Sequence, residues 1–162
     1  MAVPMRRSLK LLSVVVIVSA AALAYIWPYM QMEFAGSAHY TEQNKREYDF
    51  YTPEILRKIP RITPRYDFDF ANITGPATHV YAVKFYGTED THKIDDYLTS
   101  IGYERQGSCN IDNVCWRGAD LTETVMVRTL KSEKGVIVQV VYNFTSQLDA
   151  NKMTVNDSRK SK

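Results

Sequence analysis

The chain has 162 residues, and its 20 Lys and Arg against 18 Asp and Glu give a formal net charge of +2. The apolar stretch at residues 11–30 and the stub before it hold 3 of the basic residues and none of the acidic ones, which leaves 17 basic and 18 acidic residues after it. A nearly neutral remainder lacks the basic surface of a nucleic-acid-binding protein, so we expect no nucleic-acid partner. Its length suits one domain of ordinary size.

Residues 11–30 (LLSVVVIVSAAALAYIWPYM) carry no charge. About 20 helical residues, rising 1.5 Å each, cross the roughly 30 Å hydrocarbon core of a bilayer. The stretch therefore predicts a single transmembrane anchor in contact with lipid, preceded by a cytoplasmic stub, residues 1–10. Arg6, Arg7 and Lys10 flank its N-terminal side. Since positive charge near a span stays in the cytoplasm, we expect the N-terminus inside and the C-terminal domain outside.

Two other interpretations of this stretch stay open. A cleaved signal peptide would have its apolar core at residues 11–20 and a small-residue cleavage site at residues 22–24. A core helix of a soluble protein would be buried, which the basic flank and the all-round apolarity argue against. Anchor and signal peptide both export the domain. We favour a bacterial inner-membrane (cytoplasmic-membrane) location with a periplasmic domain.

The next segments predict a linker and two helical pieces. Residues 31–40 have small residues and no clear period, which indicates a linker leaving the membrane. Residues 41–58 predict two helical pieces. The second has Thr52 as N-cap and Pro53 at the first helical position, and it ends before Pro60.

Two strands and another helix follow. In residues 65–72 (RYDFDFAN) aromatic residues alternate with charged ones, which predicts a half-buried strand with Asp67 and Asp69 on its outer face. Residues 79–86 predict its antiparallel hairpin partner. Residues 87–90 introduce a predicted amphipathic helix with Ile94, Leu98 and Ile101 on its apolar face, and Gly102 terminates it.

The C-terminal third predicts most of the remaining sheet. Strands are expected at 103–109, 115–117, 121–130 and 136–144, and the last, the most apolar, should be central in the sheet. Residues 147–162 are polar and without period, which predicts a disordered tail. The exported domain is therefore expected at residues 41–146. Its fold class is α+β, with an antiparallel sheet and helices on one face.

Cys109 and Cys115 are the two cysteines of the chain. In an oxidising compartment such a close pair usually bridges, so we predict a disulfide. Closing so short a loop is worth roughly 2 kcal/mol by the chain-entropy argument. A free redox pair and metal ligation are the alternatives, though neither has its usual spacing here.

The sequence shows no recognised catalytic motif. His39, His79 and His92 fall in separate predicted elements, so we expect neither a metal site nor a cofactor. Asp67 and Asp69 keep a sheet face solvated or meet a basic partner. We therefore predict a protein-binding module without catalytic activity. A small envelope hydrolase that joins these two carboxylates to His79 and His92 is the alternative.

The predicted binding surface is the hairpin tip beside the cysteine pair, because a cross-linked loop loses little entropy on binding. Trp116 stands next to it and suits an interface hot spot, although packing over the disulfide is an equally good interpretation. The predicted contact residues are Asn110, Ile111, Asp112, Asn113 and Trp116, with Asp67 and Asp69 as a second patch that steers a basic partner.

The layout of a short cytoplasmic stub, one span and a small exported α+β domain is similar in outline to that of periplasmic immunity proteins, which neutralise toxins. It is also similar to that of bitopic subunits of envelope machines. The likeness implies another protein of the periplasm or inner membrane as the partner, and it assigns no residues.

Overall fold

The computed structural model describes residues 5–75, 77–107, 114–120, 122–130 and 133–143. The chain divides into two compact units, Met1–Ala35 and Gly36–Lys162. The first unit holds helix α1 (Met5–Glu33). Within Lys10–Glu33, an 18-residue window has a mean hydropathy of 2.2, and 0% of that window is buried. The helix is thus long and apolar enough to cross a membrane, as an anchor or as part of a signal sequence, and its exposure does not fit a soluble core helix.

The second unit is α+β, as the sequence predicts. Its described part contains an antiparallel sheet of seven strands in the order β1-β2-β3-β7-β6-β5-β4. Two meanders, β1 to β3 and β4 to β7, join where β3 pairs with β7, so β7 lies at the centre as predicted. The strands are β1 (Ser37–Tyr40), β2 (Tyr66–Ile73), β3 (Thr78–Tyr86), β4 (Glu104–Arg105), β5 (Val114–Arg117), β6 (Glu123–Leu130) and β7 (Gly135–Asn143). The helices are α2 (Lys45–Tyr51), α3 (Glu54–Lys58) and α4 (His92–Ser100).

Most of the core lies on one face of this sheet, which we call the helix-side face. Phe68 of β2 pairs with Val83, which pairs with Val138, and all three side chains are fully buried. Helix α2 covers this face, because the Tyr51 ring stacks on Phe70 at 4.5 Å between centroids. The register puts Asp67, Asp69 and their cross-strand neighbours on the other side of the sheet, the opposite face.

Two local predictions are wrong. Residues 37–40 lie in the predicted linker, yet they form β1 and pair with β2 from Ser37↔Ala71 to Tyr40↔Phe68. So short an edge strand has no room for a period, and pairing with its neighbour decides its structure. Thr52 is the C-cap of α2, and Pro53 is the N-cap of α3. The Thr52 hydroxyl is instead buried and donates to the Tyr40 hydroxyl at 3.1 Å.

Other boundaries follow the sequence more closely. Gly102 follows α4 with φ +86°, and its N–H donates to the Thr99 carbonyl, so the glycine terminates the helix as predicted. Of the strand predicted at 103–109, the described residues 103–107 contain the two residues of β4. The predicted tail, residues 147–162, lies outside the described residues.

Candidate functional site

The opposite face carries a linked cluster of charged and polar side chains on β1, β2 and β3. His39 lies across from Asp69 in the register, and its Nδ1 is 2.7 Å from Asp69 Oδ1. Lys84 Nζ lies 2.7 Å from Asp69 Oδ2. The Tyr86 hydroxyl donates to Asp67 Oδ2 at 2.8 Å. Asp67 and Asp69 therefore share one face, as predicted, but each is held by its neighbours.

Lysine pairs with one of the two carboxylates of this cluster. Burial raises the pKa of the Asp69 carboxyl, but hydrogen bonds from Lys84 and His39 outweigh it and hold the pKa below its usual range. The Asp69 carboxylate in turn raises the pKa of Lys84. Burial and the adjacent Asp67 raise the pKa of Tyr86 to about 12. Lys84 thus compensates Asp69, whereas the buried Asp67 Oδ1 has no hydrogen-bond partner among the described residues, so the predicted acidic patch is only partly neutralised.

This cluster also has the donor set of a metal site. His39, Asp67 and Asp69 each offer a ligand atom, and these atoms lie within 4.8 Å of one another. Imidazole and carboxylate oxygens are ligands that zinc and similar divalent ions accept. However, Lys84 occupies one Asp69 oxygen with a positive charge, and a metal ion would have to displace it. The sequence missed His39 as a neighbour of the aspartates because it lies in the predicted linker.

A different carboxylate lies on the helix-side face. Glu123 of β6 is only 8% exposed and pairs across the sheet with Tyr142 of β7. The Tyr103 hydroxyl donates to Glu123 Oε1. A Cβ on Gly118 would come within 2.9 Å of the Tyr103 ring, so the glycine leaves room for that tyrosine. Strands β6 and β7 therefore position Glu123 and Tyr142, and the close approach of Gly118 positions Tyr103.

Glu123 is held by neutral groups. Burial, reinforced by the Glu123 carboxylate, raises the pKa of both Tyr103 and Tyr142 well above the usual range for tyrosine. Both hydroxyls consequently stay protonated at neutral pH and remain donors. Among the described residues, no Lys or Arg lies within salt-bridge distance of Glu123.

Glu123 forms part of the lining of a cavity of about 440 Å³ between α3, α4 and the sheet. At its rim Lys58 and Glu54 are largely exposed and form an ion pair of 2.5 Å. The Tyr97 hydroxyl donates to the Ile55 carbonyl at 3.1 Å and so joins α4 to α3. The lining residues are Glu54, Ile55, Lys58, Tyr97, Ile101, Tyr103, Glu123 and Tyr142.

A second cavity of about 370 Å³ also has Tyr142 in its lining. Arg57 borders it but is already engaged, because its guanidinium donates to the carbonyls of Thr52 at 2.8 Å and Asp49 at 2.6 Å. The lining residues are Asp49, Phe50, Tyr51, Thr52, Pro53, Arg57, Tyr81 and Tyr142. We call the two cavities together the Tyr142 groove.

The residues predicted for binding are placed as follows. Trp116 is 4% exposed and pairs with Val125 on the helix-side face, so the structure favours packing in the core over a surface role. Cys115 is buried on β5, whereas Cys109 lies outside the described residues, and the bridge stays a prediction. Asn110, Ile111, Asp112 and Asn113 also lie outside the described residues.

The residues of the alternative hydrolase are not brought together. Asp67 and Asp69 lie on the opposite face, whereas the His79 ring contacts Phe70 on the helix-side face at 5.8 Å. His92 begins α4, and its Nδ1 lies 2.6 Å from Asp90 Oδ1.

Sequence reasoning missed Glu123. The strand predicted at 121–130 has mixed alternation, and its polar residues gave no reason to choose a face. One signal was present, since Glu123 shares its parity with Val125 and Val127, which are buried. A carboxylate in the inward parity of a strand predicts a buried polar site.

No protein family, no curated protein and no solved structure matches this chain. The function is therefore inferred from the chemistry of the site.

Proposed function

We propose that this protein is a membrane-anchored protein-binding module, and that the Tyr142 groove receives its partner. Helix α1 holds it in the inner membrane as a single-pass anchor with the N-terminus in the cytoplasm and the folded domain in the periplasm. The partner is another protein of that compartment or membrane, either a toxin that it neutralises or a subunit of an envelope complex.

The observation that carries the proposal is the composition of the groove. Aromatic rings supply large contact areas at low entropic cost and are favoured at interface hot spots. Phe50, Tyr97 and Tyr142 offer such rings along the two cavities. The exposed ion pair of Glu54 and Lys58 borders one of them, as charged residues border the core of many interfaces. An aromatic groove with a charged rim suits a protein segment.

Capture of the partner tests the proposal. The full chain with a C-terminal tag is expressed in its source and purified from solubilised membranes, and quantitative mass spectrometry identifies what copurifies. Phe50→Ser changes a groove residue, and Ile73→Ser is its matched control, since both side chains are apolar and partly exposed.

We expect one dominant stoichiometric partner for the wild type and for Ile73→Ser, and its loss for Phe50→Ser with unchanged thermal unfolding. The proposal is wrong if the wild type captures no stoichiometric protein. If Phe50→Ser retains the partner, the binding surface lies outside the groove.

A separate experiment tests export. A periplasm-dependent reporter fused to the C-terminus should be active, and a reporter active only in the cytoplasm should not. N-terminal sequencing of the protein from membranes separates the anchor from the signal peptide. We expect the N-terminal segment to be retained, and a new N-terminus at Tyr25 would establish cleavage.

A further inference from the structure

Among the described residues, Glu123 has no cationic partner. Glu123 is 8% exposed, its carboxylate accepts a hydrogen bond from the neutral Tyr103 hydroxyl, and Tyr142, also neutral, lies directly across from it on β7. Taking a carboxylate out of water is costly unless it is paired with a positive charge. The nearest cation in the cavity lining, Lys58, is bonded to Glu54 at the rim. The cavity lining therefore carries one more negative than positive charge.

We infer that the cavity at Glu123 binds a basic side chain of the partner protein, with arginine preferred over lysine. The inference rests on the proposed function, because it names the group by which the partner is anchored in the Tyr142 groove. The guanidinium N–H groups donate to the Glu123 carboxylate, and the cation lies against the tyrosine rings.

The chemistry of the lining supports this occupant over others. Tyr97, Tyr103 and Tyr142 line the same cavity as the carboxylate, and tyrosine rings attract cations held against their faces. Charge-assisted hydrogen bonds from a guanidinium to a carboxylate are stronger than those between neutral groups. Arginine also stacks on aromatic rings and is less strongly hydrated than lysine, which suits a buried site. The Glu123 charge disfavours an anionic or purely apolar group.

The size of the cavity also suits a basic side chain. The cavity measures about 440 Å³, within the range of roughly 300–1,000 Å³ typical of ligand pockets. Two isoleucines, Ile55 and Ile101, complete the lining and can contact the aliphatic part of a long basic side chain.

Methyl NMR of the full chain in lipid nanodiscs tests the inference. Isoleucine δ1-methyl labels report on the cavity at Ile55 and Ile101 and on the opposite face at Ile137, which is the internal control. The probes are Nα-acetyl-arginine amide, the corresponding lysine amide and the citrulline amide, a neutral analogue of arginine with nearly the same shape.

We expect saturable shifts of Ile55 and Ile101 with the arginine probe, weaker binding of the lysine probe, and at least about tenfold weaker binding of the citrulline probe. Ile137 should not move. Absence of any shift with both cationic probes, or equal binding of arginine and citrulline probes, would overturn the inference.

Two matched substitutions locate the charge. Glu123→Gln and Glu54→Gln each remove one negative charge from the lining, the first buried and the second at the exposed rim. The arginine probe should bind about tenfold more weakly to Glu123→Gln and within twofold of wild type to Glu54→Gln. Equal effects of the two substitutions would contradict a specific site at Glu123.

The result remains decisive if Glu123→Gln does not fold, since the comparison of arginine and citrulline uses the wild-type chain alone. The failures are also separable. A captured partner together with no binding of the cationic probes would reject the inference and leave the binding module standing. Binding of the arginine probe without any captured partner would reject the binding module.

Discussion

Two carboxylates on opposite faces of the sheet, Asp69 and Glu123, have partners of different charge. On the opposite face Asp69 is contacted by Lys84 and His39, so its charge is compensated within the domain. On the helix-side face Glu123 accepts a hydrogen bond from the Tyr103 hydroxyl and lies directly across from Tyr142, and both tyrosines are neutral. The first arrangement stabilises the fold by itself. The second retains a negative charge in a cavity, which is an arrangement suited to recognising a cation.

Cross-strand neighbours produce both arrangements, on β2 and β3 in the first case and on β6 and β7 in the second. Lys84 lies across from Asp67 on the neighbouring strand, within reach of Asp69. Tyr142 lies directly across from Glu123 in the same way. The difference therefore comes from which residue types occupy neighbouring strands, and it can be tested one side chain at a time.

The largest effect on stability is expected from Gly118→Ala. Its Cβ would lie 2.9 Å from the Tyr103 ring, which is pinned by Glu123, so the ring must move and its hydrogen bond must weaken. We expect a loss of about 3 kcal/mol in the free energy of unfolding, measured by denaturant titration. Gly107→Ala is the matched control, because a Cβ there meets nothing within 4 Å. An equal loss in both variants would contradict this packing.

Replacing both cysteines with serine should come next. Strand β5 carries Cys115 on the opposite face and Trp116 on the helix-side face, so the bridge to Cys109 should support both. The double substitution should cost roughly 2 kcal/mol and leave the fold intact. Unreduced mass spectrometry should show a mass two units below that of the dithiol. Quantitative alkylation of both thiols in the native protein would rule the bridge out.

Lys84→Met should have a smaller effect. It removes the cation from Asp69, and we expect a loss of about 1 kcal/mol at neutral pH, since the pair is partly exposed. The folded-state pKa of Asp69 is lowered, so this stabilisation is present above the usual pKa of 3.8 and disappears as pH falls through the folded value. The difference from wild type should therefore vanish in acid. Lys93→Met, an exposed change on α4, should be neutral throughout.

The smallest effect at neutral pH is expected from the ionisation of Tyr40 and Tyr86, because it occurs only at alkaline pH. Burial raises the pKa of Tyr40 to about 12, and burial with Asp67 does the same for Tyr86. Because the folded pKa exceeds the unfolded value of 10.0, this stabilisation is complete below pH 10 and is lost as pH rises towards 12. Absorbance at 295 nm should show these tyrosinates forming together with unfolding. Titration of all tyrosines near pH 10 in a folded chain would contradict the burial.

The sequence predicts the elements that have a clear period. The alternation in β2 and the apolar run in β7 define their faces and the central position of β7. It misses β1, whose four residues are too few to show a period. It also misses the site, because Tyr103 and Glu123 are 20 residues apart in the chain and meet only in the folded sheet, where β5 lies between β4 and β6. The period of a strand shows which of its residues share a face. Which residues of different strands come into contact depends on how the strands pair.

The comparison of the two carboxylates can be made in one measurement. Glu123→Gln and Asp69→Asn each convert a carboxylate to an amide, one on each face, in the full chain in nanodiscs. The dissociation constant of Nα-acetyl-arginine amide is then measured from the Ile55 and Ile101 methyl shifts. We predict binding about tenfold weaker for Glu123→Gln and within twofold of wild type for Asp69→Asn. Equal weakening by the two substitutions, or a larger effect of Asp69→Asn, would contradict the assignment of the cation site to Glu123.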